Sequence, residues 1–425
     1  MIKINFFKTN FFNLLISSIV PFLILGPFIP DLILSISSLF FLYYVFRYNK
    51  FYFFKNKSLI FFFLFCTILI FCSLLSENIL FSLKSSLFYF RIGIFSCFIW
   101  FLIEKDKKIL KFFYYFILFS FLALVIDGYC QFFLGENILG YKKYGIRISS
   151  FFGDEMIMGS YLSRLLPLLF ALFLIKEKNK FEIYFIGILF ILIDILVFIS
   201  GERAAFFFIN LSSIFIIFFI KQFQVYRLIT LIIGIIFIVL ITFSHSNSLS
   251  KTLSERMFHE PLKSMNFLDS SKKKVIFTRA HDSHIRTAFE MFKESPIYGH
   301  GPKMFRVLCS NEKYAIGDAP CSTHPHNFYI QLLAETGVLG FSYLFLMFLY
   351  VLYCSFKQLI SIIFKRNRYL SDYQVCLLGA LIITLWPISP NGNFFTNWLM
   401  IVYSLPIGFY LHSIYSKIDK RSNLD

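Results

Sequence analysis

The sequence predicts an all-α polytopic membrane protein, and three observations carry that reading. Hydrophobic residues make up 58% of the 425, and charged residues only 15%, where a soluble chain would carry about a quarter. Apolar runs long enough to cross a bilayer as helices, roughly 17–25 residues each, recur along most of the chain. The basic residues fall in short clusters between those runs, with a strong alternation from one connection to the next. That placement turns the net charge of +17 away from nucleic acid, which would call for a continuous basic surface.

In order, the apolar runs place spans at 11–28, 31–47, 58–75, 83–103, 109–134 and 155–175, then at 181–200, 203–220, 226–243, 331–356, 372–389 and 394–413. About 12 transmembrane helices follow. The first run has no small-residue cleavage site after it and reads as a retained span. Domain organisation follows directly: spans 1–9 over 1–243, one large polar loop over 244–330, spans 10–12 over 331–413, and a tail over 414–425.

Orientation is read from Lys and Arg. With the N-terminus inside, the inner segments hold 22 of the 41 basic residues and the short outer connections hold five. Both termini are therefore expected in the cytoplasm, with the large loop on the opposite side. Six of the eight Cys lie in apolar spans and read as packing residues. Cys309 and Cys321, with eleven residues between them, lie in the outer loop. There an oxidising periplasm permits a disulfide, the alternative being two free thiols.

Inside the loop, the stretch from Ser244 to Lys274 is polar and carries no assignment. From Arg279 the spacing becomes helical, with His284, Ala288, Met291 and Phe292 along one face. A turn at Ser295-Pro296 leads to Tyr298-Gly299-His300-Gly301-Pro302, a tight reversal that needs glycine conformations. After Cys321 come His324-Pro325-His326-Asn327 and then an apolar run, so Pro325 and Asn327 mark a helix start. His326 is placed at or just before that helix N-terminus. Such a site favours anions and holds an imidazole neutral, as a general base requires.

His-Asn-Phe-Tyr-Ile-Gln-Leu-Leu-Ala-Glu-Thr-Gly-Val-Leu-Gly, from His326 to Gly340, closely resembles the signature of the O-antigen ligase and polymerase family. Three more segments resemble that family's pattern in the same order. They are Arg147-Ile-Ser-Ser-Phe-Phe-Gly-Asp, then Ser200-Gly-Glu-Arg203-Ala-Ala, then Arg286 through Ser295-Pro296 to Pro302. The resemblance covers roughly 140–400. It implies a GT-C-like polytopic fold and transfer of a glycan from an undecaprenyl-diphosphate carrier on the periplasmic face of the inner membrane, without metal, nucleotide or other cofactor.

Carried over by residue, the resemblance implies that Arg203 and Arg286 bind the carrier diphosphate and that His326 activates the acceptor hydroxyl. Elementary chemistry supports each role. A guanidinium meets phosphate oxygens bidentately, and each contact at about 4 Å is worth on the order of 4 kcal/mol before desolvation at an effective dielectric near 20. An imidazole near neutrality takes a hydroxyl proton, and a single displacement inverts the anomeric centre. Plainer readings stand beside these. Arg203 is also a helix-end anchor reaching the interface, and Arg286 a solvated loop charge. Arg147 is a second phosphate contact or an ordinary outer-loop charge. His324 is a partner of His326 or only its neighbour, and Glu335 is placed to pair with an arginine.

His281 and His284 with Asp282 look like metal ligands superficially, but histidines in a polar loop seldom form a site, and no metal is expected. Asp127, Asp194 and Arg164 lie within spans, where ionisable groups are paired or line a cavity. Arg91 faces the bundle interior or reaches the interface. The leading function is an O-antigen ligase that joins a lipid-carried glycan to a lipid A–core acceptor, with membrane lipid around it and no nucleic acid partner. A repeat-unit polymerase of the same fold is the alternative. Less favoured are a protein O-oligosaccharyltransferase and a transporter of the lipid-linked glycan, which would place its ionisable residues at mid-membrane.

Overall fold

A computed structural model of the chain describes residues 10–243, 248–266 and 277–416. The described residues form helices and no strand. Among the described residues, nine helices are long and apolar enough to cross a membrane, and three shorter apolar ones accompany them. In chain order the first six are α1 (Phe11–Leu25), α2 (Phe28–Arg47), α3 (Lys57–Leu74), α4 (Ile79–Lys105), α5 (Lys108–Leu134) and α6 (Met158–Ile175). Then come α7 (Lys180–Ile199), α8 (Arg203–Phe219) and α9 (Gln224–Phe243). The loop contributes α10 over 248–264, with a π-helical turn at Glu255–His259, and α11 (Arg279–Glu294). The last three are α12 (Phe328–Ile363), α13 (Asp372–Thr384) and α14 (Asn397–Tyr415).

Several boundaries moved, each for a local reason. The span expected to reach 389 stops at Thr384, because Pro387 and Pro390 follow and the residue before a proline leaves the helical region. The freed segment becomes a loop that the site uses. The fourth span begins earlier, at Ile79, and is interrupted between Ser86 and Arg91. Helix α12 is 36 residues long and broken at Gly337 (φ 60°, ψ −161°), a conformation that only glycine adopts without strain.

Helix α6 sits at the centre, packed against α5, α7, α8 and α13, and almost every one of its side chains is buried. By contrast α9 leaves Ile232, Ile235, Ile236, Phe237 and Leu240 exposed. A row of large apolar side chains that a soluble surface would not tolerate is what lipid requires. Aromatic rings fill the interior near α2 and α4, where Phe41 lies 5.5 Å from both Phe53 and Phe98; such pairs add packing energy where no hydrophobic effect separates helix from lipid.

The buried charges find partners that the sequence did not disclose. Arg227 meets Asp194 through two hydrogen bonds of 2.8 and 3.0 Å, and both side chains are almost fully buried. Arg91 pairs with Asp31 at 2.7 Å. Asp127 accepts from the Ser150 hydroxyl at 2.6 Å and from the Ile138 amide at 2.9 Å.

The connections after the third, fifth, seventh, ninth and eleventh apolar segments meet at one end of the bundle. Successive membrane crossings return alternate connections to the same side, so this grouping follows from the helix count itself. The Gly299–Gly301 turn docks there onto the break in α12. The His300 and Gly301 amides donate to the Ala334 and Glu335 carbonyls at 3.1 and 2.7 Å, and the Val338 amide donates to the Pro296 carbonyl at 2.8 Å. A Cβ on Gly299 would sit 2.3 Å from the Glu335 carbonyl carbon, and one on Gly337 would sit 2.3 Å from that of Ile297. Two glycines thus let two backbones touch. Cys309 and Cys321 are bridged by a disulfide, which ties the segment after this turn to the approach to His326.

Candidate functional site

A cavity of about 1420 Å³ opens at that end. Its wall is assembled from α6, the start of α8, α10, the start of α11, the segment before α12 and the proline-containing loop after α13. Among the described residues, six cationic side chains line it (Arg147, Arg164, Arg203, Arg256, Lys263 and Arg279) against two carboxylates, Glu202 and Glu260. That imbalance gives the cavity a positive potential, which favours anions. One side is apolar, with Ala204, Phe207, Phe208, Trp386 and Ile388.

Asn327 caps α12, accepting from the Tyr329 and Ile330 amides at 3.0 and 3.1 Å, the helix start that its sequence position suggested. His326 precedes the cap with φ 57°, a left-handed conformation that few side chains adopt and that histidine tolerates better than most. Its carbonyl accepts from the Asn391 amide at 2.8 Å, which pins the turn to the proline loop. The ring lies within hydrogen-bonding distance of the Ser322 hydroxyl, at 3.2 Å.

Three further imidazoles surround His326. Ring centroids of His324, His281 and His284 lie 4.1, 4.8 and 5.3 Å away. Burial, and after it the neighbouring imidazoles, push His326 down to about 3. His324 is pushed down to about 4, mainly by burial, against the opposing effect of its hydrogen bond to Asn391. Burial and crowding by other imidazoles therefore keep this ring neutral, where the sequence had suggested the helix N-terminus. His324 Nε2 faces the Asn391 carbonyl at 3.1 Å. A carbonyl only accepts, so the proton is on Nε2 and Nδ1 accepts from the Thr323 hydroxyl at 2.9 Å. The four rings do not form a metal-holding group, and no such group of His, Cys, Asp or Glu occurs among the described residues.

Arg203 opens α8 and lines the cavity, with one Nη 2.8 Å from Glu260 on α10. Arg256 donates to the Gly201 carbonyl at 3.1 Å and lies 4.0 Å from the same carboxylate. Arg147 donates to the Met156 carbonyl at 3.1 Å, while its buried Nε has no partner among the described residues. Glu202, at the turn before α8, accepts from the Gly159 and Ser160 amides at 2.6 and 3.0 Å and so caps α6. Burial pushes its carboxyl up to about 7, against the pull of those amides and of Arg147 and Arg164.

Two expected residues are placed differently. Arg286 lies on α11 but does not line the cavity; its side chain is 53% exposed and paired with Asp282 at 2.7 Å. Arg286 follows Arg279 by seven residues, which returns it to nearly the same side of α11 but about 10 Å further along the axis, so Arg279 and His281 at the start of the helix line the cavity and Arg286 does not. Among the described residues no arginine lies within ion-pair distance of Glu335. It is fully buried and accepts from the Phe305 amide at 3.2 Å and the Gln331 amide nitrogen at 3.1 Å, fastening the Gly299–Gly301 region to α12.

Sequence reasoning gave no role to Arg256, Arg279, Glu202 or Asn391. Arg256 and Glu260 came from the part of the loop left unassigned, which proves to hold α10. Of that stretch, 244–247 and 267–276 lie outside the described residues. No local signal marked these side chains, because each acquires its meaning from elements distant in sequence.

Residues 185–345 match the model of the family described as O-antigen ligase. The match runs from α7 past the Gly337 break in α12, taking in Arg203, Arg256, Arg279 and all four imidazoles. Arg147, Arg164 and Asn391 fall outside it. No curated protein matches the chain.

Proposed function

We propose, from the match of residues 185–345 to the O-antigen ligase family model, that this chain belongs to that family and is an O-antigen ligase. It moves a glycan from an undecaprenyl-diphosphate carrier to a lipid A–core acceptor at the periplasmic face of the inner membrane. The observation that carries the reading is one cavity that joins a cluster of cations to a crowded, neutral imidazole, His326.

In this reading the diphosphate lies among Arg203, Arg256, Arg279 and Arg147, and the carrier's hydrocarbon runs along the face formed by Phe207, Trp386 and Ile388. Arg286 is no longer assigned to the diphosphate. The acceptor hydroxyl oxygen attacks the anomeric carbon while its proton passes to a ring nitrogen of His326. The bond from that carbon to the phosphate oxygen breaks, and its electron pair leaves with the diphosphate. Fixed guanidinium groups favour the charge that grows there, so they act on the transition state more than on the bound donor. His324 orients the loop that carries the base through its bond to Asn391. Such a displacement inverts the anomeric centre.

The test is His326→Ala in cells that display a surface polysaccharide. Attachment is expected to stop while carrier-linked polymer accumulates. A normal lipopolysaccharide ladder in that variant would overturn the assignment. Lipid cores bearing single repeats would instead identify a polymerase of the same fold.

A further inference from the structure

Arg164 is the one cation of the cavity that rises from the middle of the bundle. It lies within α6, is 4% exposed, and lines the cavity beside Glu202 and the proline loop. Its guanidinium is held between ring faces, 4.6 Å from the Phe208 centroid and 5.3 Å from that of Tyr403. Nε donates to the Ser160 hydroxyl at 3.3 Å and Nη2 to the Asn391 side-chain oxygen at 2.8 Å. Nη1 is buried, and among the described residues it has no hydrogen-bond partner and no carboxylate lies within ion-pair distance of Arg164.

A buried cation with an unused pair of N–H donors is strongly unfavourable unless something supplies charge and acceptors. The aromatic faces compensate only in part. Every other bond of this guanidinium fixes its plane and so fixes where Nη1 presents its donors. The same Asn391 that holds Nη2 also donates to the His326 carbonyl at 2.8 Å and accepts from His324. One residue therefore couples the position of the cation to that of the base.

Resting on the ligase reading, we propose that Arg164 is a substrate-binding residue whose free Nη1 takes an anionic phosphate oxygen of the lipid-linked donor at the deep end of the cavity. The rim arginines take the outer part of the diphosphate. Because the bond that breaks must lie within reach of the base, the phosphate beside His326 is the one that receives the electron pair, and Arg164 meets the charge where it grows. The role is not read from the family match, since Arg164 lies outside residues 185–345.

The experiment measures binding of undecaprenyl diphosphate and of neutral undecaprenol to purified full-length protein, wild type against Arg164→Gln, Arg164→Lys and Arg203→Gln. Arg164→Gln is expected to weaken undecaprenyl diphosphate at least tenfold and leave undecaprenol unchanged. Transfer turnover is expected to fall about a hundredfold, the usual effect of removing one donor to a developing oxyanion. Arg164→Lys keeps the charge without the fork and should recover part of both. It carries the test by itself if the glutamine variant does not fold, with a loss of at least threefold expected. Unchanged diphosphate binding in either folded variant would overturn the proposal, as would an equal loss for both lipids, which marks a purely structural role. If Arg203→Gln weakens the diphosphate and Arg164→Gln does not, only this proposal fails. If the wild type ignores undecaprenyl diphosphate, the ligase reading fails with it.

Discussion

The placement of His326 makes a quantitative claim about pH. An unperturbed imidazole titrates near 6.5, so at pH 5.5 about nine in ten would be protonated and a base of that kind would lose roughly tenfold in rate. His326 is buried, its ring centroid lies 4.1 Å from that of His324 and 4.8 Å from that of His281, and it is pushed down to about 3. At pH 5.5 it should still be almost wholly neutral. The donor diphosphate is a diester and does not titrate in this range either. The kcat/KM for transfer, which reports groups of the free enzyme, should change by less than about twofold between pH 8 and pH 5.5. Glu202 stands at about 7, so the profile is measured in wild type and in Glu202→Gln. A limb near 7 that disappears in the variant belongs to that carboxyl. An acid limb with its midpoint between 6 and 7 in both proteins would refute the argument that burial and neighbouring imidazoles hold His326 neutral. The sign for stability follows the same direction. A base whose folded pKa is depressed contributes stability above pH 6.5, and loses it as pH falls from there towards 3, so the melting temperature should fall across that window and recover partly in His326→Gln.

Three further outcomes test the scaffold. Asp194→Ala leaves Arg227 as an unpaired charge in a site that is 2% exposed; a cost of about 3–5 kcal/mol is expected, and a denaturant midpoint in detergent matching wild type would contradict it. Gly337→Ala forces a Cβ to within 2.3 Å of the Ile297 backbone at φ 60°. Roughly 3 kcal/mol or more should be lost, and limited proteolysis should cut at 295–303 where the wild type resists. Cys321→Ser opens a closed loop of about a dozen residues, for which chain entropy predicts about 3 kcal/mol. The readout is the thermal midpoint with and without reductant, and a midpoint unaffected by either would show that the bridge contributes nothing.

The existence and order of the apolar segments were legible because spanning a bilayer requires a long uninterrupted stretch of one chemistry, which local sequence records. The Asn327 cap, the Arg279–Glu294 helix and the Gly299–Gly301 reversal were legible for a similar reason. Each depends on residues within a turn or two of one another. Where the sequence erred, the cause was also local. Prolines at 387 and 390 ended a helix that an average over apolar residues had carried through.

What the sequence by itself determined was therefore the class of protein, its string of helices, the family signature from His326 to Gly340 and the residue expected to act as base. Which charges face one another was decided only by the tertiary structure. Arg164 stands beside Asn391, 227 positions away, and Arg203 beside Glu260 on a helix that carried no signal. Arg286 stands beyond the cavity while Arg279, two helical turns earlier on nearly the same face, lines it. Helix packing sets these pairings by fixing each helix's rotation about its axis and its position along it, and both are properties of the whole bundle, which no short stretch of sequence specifies.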